Sequence, residues 1–172
     1  TGQGQNAQQT RQFILHPQLR TNMPNLDQCV IDSCKTSWEE EFLKGTKNRD
    51  NCSGFVKAVA KKLGVPLPDT ANADGIVDHL DKNWTKLASG SDARLTAQTG
   101  IFVIAALKGK DHAPARNNSH VAIVVDGDLY RQKYPMLWGG SIGSAQSQGT
   151  KSVGEVWNTR DRDSVTYYVY AT

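Results

Sequence analysis

The feature that most constrains this chain is a change of hydrophobic period near its middle. Up to about residue 82, apolar side chains recur at three- and four-residue spacing, which is typical of helices with one buried face. Beyond residue 100 they form continuous or alternating runs, which are typical of β-strands. Helices followed by antiparallel strands predict an α+β fold in which N-terminal helices pack on one sheet.

Three helices are predicted in the first half. The first carries an apolar stripe over residues 25–42 and ends at Gly45; the stripe comprises Leu26, Cys29, Val30, Cys34, Trp38 and Phe42. The second covers residues 52–63 and the third residues 73–82. Gly64 is a typical helix stop after the second.

Four strands are predicted in the second half, over residues 101–107, 120–125, 129–134 and 164–170. Asp126-Gly127 is a strong signal for a two-residue hairpin turn between the second and third. The last run alternates, which predicts a half-exposed strand. No internal repeat is evident, so one domain over residues 23–172 is expected.

Residues 1–22 are rich in Gln, Asn and Thr and have little to bury. We expect a flexible arm, or a remnant of the expressed chain ahead of a natural start at Met23. The first residues lack the apolar core of a secretory signal, and the longest apolar run, residues 101–107, is far too short to span a bilayer. Neither ordinary export nor membrane insertion is expected.

Composition excludes several other classes. The net charge of +3, without a Lys/Arg run, argues against nucleic-acid binding. The four histidines are scattered, so neither a metal site nor a cofactor is predicted. Cys29 and Cys34 share the first predicted helix, which puts their Cα atoms roughly 8 Å apart, beyond disulfide range. We predict that both are buried and unbridged.

Cys52 is the candidate nucleophile, because a polar loop changes there into an amphipathic helix. A thiol at a helix N-terminus meets the positive end of the helix dipole and free amides, which favour the reactive thiolate. The small residues Ser53 and Gly54 are expected to leave room for a substrate chain. The backbone amide of Cys52 is the candidate oxyanion donor. A structural cysteine in a packed first turn is the alternative.

His120 is the candidate general base, because it opens a predicted strand directly after the polar loop 115–119. A histidine at the mouth of a strand can reach across to a helix N-terminus, which is the geometry that a Cys–His pair needs. The alternative is an inert histidine at a strand edge. His79, His112 and His16 are weaker candidates, lying in a helix, a loop and the arm.

The order of a cysteine at a helix start and a strand "SHVAIVV" resembles the papain-like wall peptidases of the NlpC type. Five blocks resemble the first family of type VI secretion amidase effectors, and the resemblance covers residues 26 to about 170. They are "DNCSGFVKAVAKKLGVPLP", "NWTKLASG", "HVAIVVDGDLYRQKYPMLWGGS", "SQGTKSVGEVWN" and "TYYVY".

The resemblance implies an antibacterial toxin that hydrolyses the bond between D-glutamate and diaminopimelate in peptidoglycan stem peptides. By position, Cys52 matches the family nucleophile and His120 its base. It also implies delivery by the type VI tube and spike from the producer's cytoplasm into the periplasm of a Gram-negative target. A cognate immunity protein is then expected as partner, and the toxin itself is expected to be a monomer.

A third catalytic element is open between two positions. NlpC-type enzymes place a polar side chain on the next strand to orient the imidazole, and Gln132 is the candidate there. A turn at Asp126-Gly127, however, would put Lys133 opposite His120. The preferred alternative is a backbone carbonyl near Gly139.

The residues alone do not name the amide that is cut. A cysteine acyltransferase or deamidase acting on proteins would use the same Cys–His pair. A non-catalytic module would instead bind wall peptides in a degenerate cleft. Both alternatives stay open at this stage.

Overall fold

The computed structural model describes residues 27–170, so the predicted arm and its His16 lie outside the described residues. The helices are α1 (Gln28–Trp38), α2 (Cys52–Lys62), α3 (Ala73–Asn83), α4 (Gly90–Gln98) and α5 (Val153–Val156). The strands are β1 (Glu41–Leu43), β2 (Thr46–Lys47), β3 (Thr85–Leu87), β4 (Val103–Leu107), β5 (His120–Tyr130), β6 (Tyr134–Gly139), β7 (Ser147–Ser152) and β8 (Thr166–Val169). Short 3-10 turns lie at Asn48–Asp50 and Gly109–Asp111.

The strands after α3 form a six-stranded antiparallel sheet in the order β3-β8-β4-β5-β6-β7, while β1 and β2 form a separate hairpin. The predicted α+β architecture is confirmed. β4 lies inside the sheet, and every residue in it is buried. β8 is covered on both faces, because the neighbours Tyr167 and Tyr168 are both buried, so the prediction of a half-exposed strand is wrong.

The sheet separates two hydrophobic clusters. Alternate side chains of β5 serve each face: Val121 and Ile123 pack with α1, α2 and α3, and Ala122 and Val124 pack on the α4 side. A strand buried on both faces reads as a continuous apolar run. That is why β5 could be located from the sequence.

Side-chain caps determine where the helices begin. The Asn51 side chain accepts a hydrogen bond of 2.6 Å from the amide of Gly54, so α2 starts at Cys52. Asn72 and Ser89 cap α3 and α4 in the same way. Each cap satisfies an amide that the first helical turn leaves unpaired.

α1 is shorter than predicted. It ends at Trp38, and Phe42 lies in β1 of a hairpin that turns at Gly45, where φ is 80°. The three glutamates at 39–41 would disfavour a longer helix, because their charges would repel the negative end of its dipole. Glu39 instead binds Lys47, with 2.7 Å between its carboxylate and Nζ.

The three cysteines are free. Cys29 and Cys34 both lie on α1, as the helix-geometry prediction requires. Cys34 is buried as predicted, but Cys29 is exposed, so its assignment to the buried stripe is wrong.

The predicted turn at Asp126-Gly127 is also wrong. β5 continues through both residues to Tyr130, and the chain turns directly after it, where Arg131 and Gln132 have φ of 52° and 59°. The register between β5 and β6 shifts over this stretch, and Gly127 takes a φ of 153° there. The Asp-Gly pair therefore marks an irregularity within a strand and not its end.

Gly140, directly after β6, lets the sheet pack closely against the turn before α2. A Cβ at this position would lie 2.3 Å from the carbonyl oxygen of Asn48 and 2.7 Å from that of Asn51. The next amide, of Ser141, donates to the Arg49 carbonyl at 2.9 Å. The end of β6 is thus packed backbone to backbone against the turn that precedes Cys52.

We expect Gly140→Ala to lower the free energy of unfolding by roughly 1–3 kcal/mol, the usual cost of overpacking. Gly143→Ala is the matched control, because nothing lies within 4 Å of its added Cβ. Urea unfolding followed by tryptophan fluorescence measures both variants. Equal stability of the two would contradict a tight contact at Gly140.

Candidate active site

Cys52 and His120 line one cleft of about 730 Å³. Cys52 is the first residue of α2 and His120 the first of β5, so the cleft opens where that helix meets the end of the sheet. The loop 115–119 and Trp157 form further parts of its wall. The structure therefore brings the two predicted catalytic residues into the same site.

The Cys52 thiol lies against the main chain on either side of His120. Its Sγ donates to the carbonyl of Ser119 over 3.9 Å, and the amide of Val121 lies near enough to lower the pKa of the thiol. In an extended strand these two groups point to the same side. β6 pairs with β5 at Ile123 and ends at Gly139, so the thiol occupies strand-edge positions next to the point where β6 departs.

Burial raises the pKa of the Cys52 thiol, and backbone amides of Val121, Ser53 and Cys52 itself lower it in part. The amides act as the helix N-terminus predicts, but burial is the larger effect, so the pKa of the Cys52 thiol lies above its ordinary value and the expected lowering is wrong.

The imidazole of His120 packs edge-on against Trp157, with ring centroids 5.0 Å apart and planes at 66°. Its Nε2 is buried and has no hydrogen-bond partner within residues 27–170. Burial lowers the pKa of His120 to about 4, and electrostatic interactions with His112 and Arg116 add to this shift. The ring is therefore neutral near pH 7.

Neither candidate for the third catalytic element hydrogen bonds His120. Gln132 lies in the turn beyond the far end of the eleven-residue β5, roughly 30 Å along the strand from His120. Lys133 is not opposite His120 but pairs with Asp163 at 2.7 Å. Gly139 lies close to Ala122, because a Cβ added to Gly139 would lie 2.9 Å from the Ala122 Cβ. The Gly139 carbonyl does not hydrogen bond the His120 Nε2, which has no partner among the described residues.

The small residues after Cys52 serve packing more than substrate access. A Cβ on Gly54 would lie 3.1 Å from the ring of Phe42, so the space beside this glycine is filled by the Phe42 side chain. Ser53 does line the cleft, but its hydroxyl donates to the Asn51 cap at 2.8 Å. The expectation that both leave room for substrate is wrong for Gly54.

Sequence reasoning missed the residues that support this pair. The Ser119 hydroxyl donates to the Asp74 carboxylate and accepts from the amide of Gly109 at 3.0 Å. Asp74 is 45 positions from Ser119, and no local pattern links them. Trp157 stands in one of the blocks that resemble the family, but nothing in the sequence assigned it to the site.

The remaining histidines play other parts. The Nδ1 of His112 lies 3.0 Å from the Lys108 carbonyl on the cleft wall, and His79 lies beside Asn83 on α3. No group of three or more His, Cys, Asp or Glu within residues 27–170 could hold a metal ion. In the same range, no helix has the length and apolar character needed to cross a bilayer.

The lowered pKa of His120 makes stability depend on pH. His120 has its ordinary pKa of 6.5 in the unfolded chain and a pKa of about 4 in the folded protein. The unfolded state therefore takes up a proton on this residue first as the pH falls. The contribution of His120 to stability is therefore complete above about pH 6.5 and is lost as the pH falls towards 4. We expect a loss of about 2 kcal/mol between pH 7 and pH 5 from this residue alone.

Urea unfolding at both pH values, with wild type and His120→Asn, measures that contribution. The variant has no titrating ring at this position, so its stability should fall by about 2 kcal/mol less. The same pH dependence in both proteins would show that the ring is not held neutral by burial.

Comparison with known proteins places this chain in a family. No family model matches the chain. Peptidoglycan amidase Tse1 of Pseudomonas aeruginosa is 56% identical over 151 residues, which cover 87% of this chain and 94% of that protein. The sequence blocks pointed to the same group of proteins. This chain therefore belongs to the family of Tse1, the first family of type VI secretion amidase effectors.

Proposed function

We propose that this protein is a peptidoglycan amidase that hydrolyses the γ-D-glutamyl–diaminopimelate bond, with Cys52 as nucleophile and His120 as general base. The observation that carries the proposal is the shared cleft, in which the first residue of α2 and the first of β5 face one space. Identity of 56% to a protein named as a peptidoglycan amidase supports the substrate class.

The protonation states indicate when the proton moves. Burial raises the pKa of the thiol and lowers that of the imidazole, so both groups are neutral before substrate binds. The Cys52 thiol donates to the Ser119 carbonyl. The thiol proton passes to His120 as the sulfur turns towards the substrate, and the ion pair forms only during attack.

The reaction then has two halves. The Cys52 sulfur bonds to the γ-carbonyl carbon of D-glutamate, and the carbon–nitrogen bond breaks as imidazolium returns its proton to the departing diaminopimelate amine. A water molecule, deprotonated by His120, next attacks the thioester. Sulfur leaves, takes up the proton, and D-glutamate is released with a free γ-carboxylate.

The N-terminus of α2 supplies candidate donors for the oxyanion of each tetrahedral intermediate. The amides of Cys52 and Ser53 already face the sulfur, while the amide of Gly54 is taken up by the Asn51 cap. Preorganised amides of this kind stabilise the charge that develops on the carbonyl oxygen. This supports the assignment of the Cys52 amide as an oxyanion donor.

Family membership also supports a place of action. We infer delivery by type VI tube and spike components into the periplasm of a Gram-negative target, and a cognate immunity protein in the producer. Ile142, on the cleft wall, is 93% exposed and offers such an inhibitor an apolar contact beside Cys52. The protein acts as a monomer in this proposal.

Removing either catalytic side chain should reduce wall hydrolysis by about 10³-fold or more, because the two act as a unit. Cys52→Ala and His120→Ala are to be compared with Cys29→Ala and His79→Ala, which change the same residue types outside the cleft. Release of soluble peptide from purified sacculi is the assay, with circular dichroism to confirm folding. Wall digestion near the wild-type rate by either cleft variant would refute the mechanism.

The products identify the bond. Mass spectrometry of digested sacculi should show disaccharide-L-Ala-D-Glu and a released peptide that begins with diaminopimelate. Bare disaccharide, or monomers cut only at the D-Ala–diaminopimelate cross-link, would reject this bond. Intact sacculi together with a mass change of 1 Da in a protein substrate would favour the deamidase alternative. Intact sacculi that retain the protein would favour the non-catalytic binder.

A further inference from the structure

Ser119, directly before His120, is held by contacts that the proposed reaction does not use. It is 4% exposed, and its hydroxyl both donates to Asp74 in the first turn of α3 and accepts from Gly109 in the turn after β4. Gly109 is itself confined, since an added Cβ would lie 2.5 Å from the Arg116 carbonyl oxygen. The start of β5 is thus tied to two other elements through one hydroxyl.

The same short segment surrounds the sulfur of Cys52. The Ser119 carbonyl accepts from Sγ, the Val121 amide lowers the pKa of the thiol from nearby, and His120 stands between them. A displacement of residues 119–121 would therefore alter the acceptor, the amide and the base together. Beside the strand pairing with β4, the hydrogen bonds of the Ser119 hydroxyl oppose such a displacement.

We propose that Asp74 and Ser119 are positioning residues: their hydrogen bond holds residues 119–121 against the Cys52 thiol and so sets the reactivity of the nucleophile. The inference rests on the proposed chemistry of Cys52. It makes the N-terminal turn of α3 part of the active site, although Asp74 does not contact the sulfur.

The expected effect follows from the contacts. Without the Asp74 carboxylate, the segment loosens and the Val121 amide no longer stays on the sulfur. That amide lowers the Cys52 pKa, so its loss leaves the burial effect less opposed and the pKa rises further. A shift of about 1 Å at a catalytic group costs up to about a hundredfold in rate.

Asp74→Ala tests this with little risk to the core, because Asp74 is only partly buried. Asp74→Asn keeps an acceptor oxygen for Ser119 and is the conservative rescue. Asp78→Ala is the matched control, because its carboxylate, one turn later on α3, binds only the surface residue Lys108. All variants carry Cys29→Ser, which removes the exposed thiol.

The first readout is the rate of Cys52 alkylation by iodoacetamide from about pH 7 to about pH 11, a window chosen for a thiol whose pKa is raised above its ordinary value. The second is kcat and KM on a purified stem peptide. We expect Asp74→Ala to move the alkylation midpoint to higher pH and to lower kcat by about ten- to a hundredfold, with KM within about twofold. Asp74→Asn and Asp78→Ala should stay near wild type.

A midpoint and kcat for Asp74→Ala that match those of Asp78→Ala would overturn the inference. Ser119→Ala is the second probe, with Ser147→Ala as its control, since Ser147 is also a buried hydroxyl that donates to a carbonyl and accepts from an amide. An equal effect of both serine variants on the midpoint would overturn it as well. If wild type alkylates normally but cuts no stem peptide, the proposed function fails while the alkylation shift still decides this inference.

Discussion

The close approach of Gly140 to the turn before α2 is the contact on which the active site depends. Backbone packs there directly on backbone, because a Cβ would lie 2.3 Å from a carbonyl oxygen. As β6 turns into this contact it leaves β5, and the edge of β5 beside His120 loses its neighbouring strand. Cys52 takes that place, with its sulfur on a carbonyl and an amide that a strand would otherwise use.

Burial opposes proton transfer between the half-buried groups Cys52 and His120, so the charges have to be stabilised as they form. Burial penalises the charged form of each, so thiol and imidazole are moved away from ionisation in opposite directions. The amides at the start of α2 are fixed before substrate arrives. They stabilise negative charge only when it develops, first on sulfur and then on oxygen, which is how preorganised dipoles favour a transition state.

The sequence located the elements whose signal is local. Helix stripes and the apolar runs of β4 and β5 predicted the core, and the helix start at Cys52 and the strand start at His120 lie where the pattern changes. α4 escaped notice because its buried residues are small, Ala93 and Ala97 among them. The hairpin was misplaced because Asp126-Gly127 has the same local preference in an irregular strand as in a turn.

The parts of the site that sequence could not predict are those made by distant residues. The link from Asp74 to Ser119 and the packing of Trp157 on His120 depend on how the sheet is covered, and no spacing along the chain encodes either. The burial that raises the pKa of Cys52 is of the same kind. The position of Cys52 at a helix N-terminus predicted a lowered thiol pKa, but burial by the surrounding protein has the larger effect and raises it.

The raised pKa of the half-buried Cys52 thiol also affects its susceptibility to oxidation. Peroxide and disulfide exchange act on the thiolate, and a protonated sulfur reacts slowly. Cys52 is half-buried with its Sγ directed to the Ser119 carbonyl, whereas Cys29 is exposed on α1. An oxidising environment would therefore oxidise the exposed sulfur of Cys29 before that of Cys52.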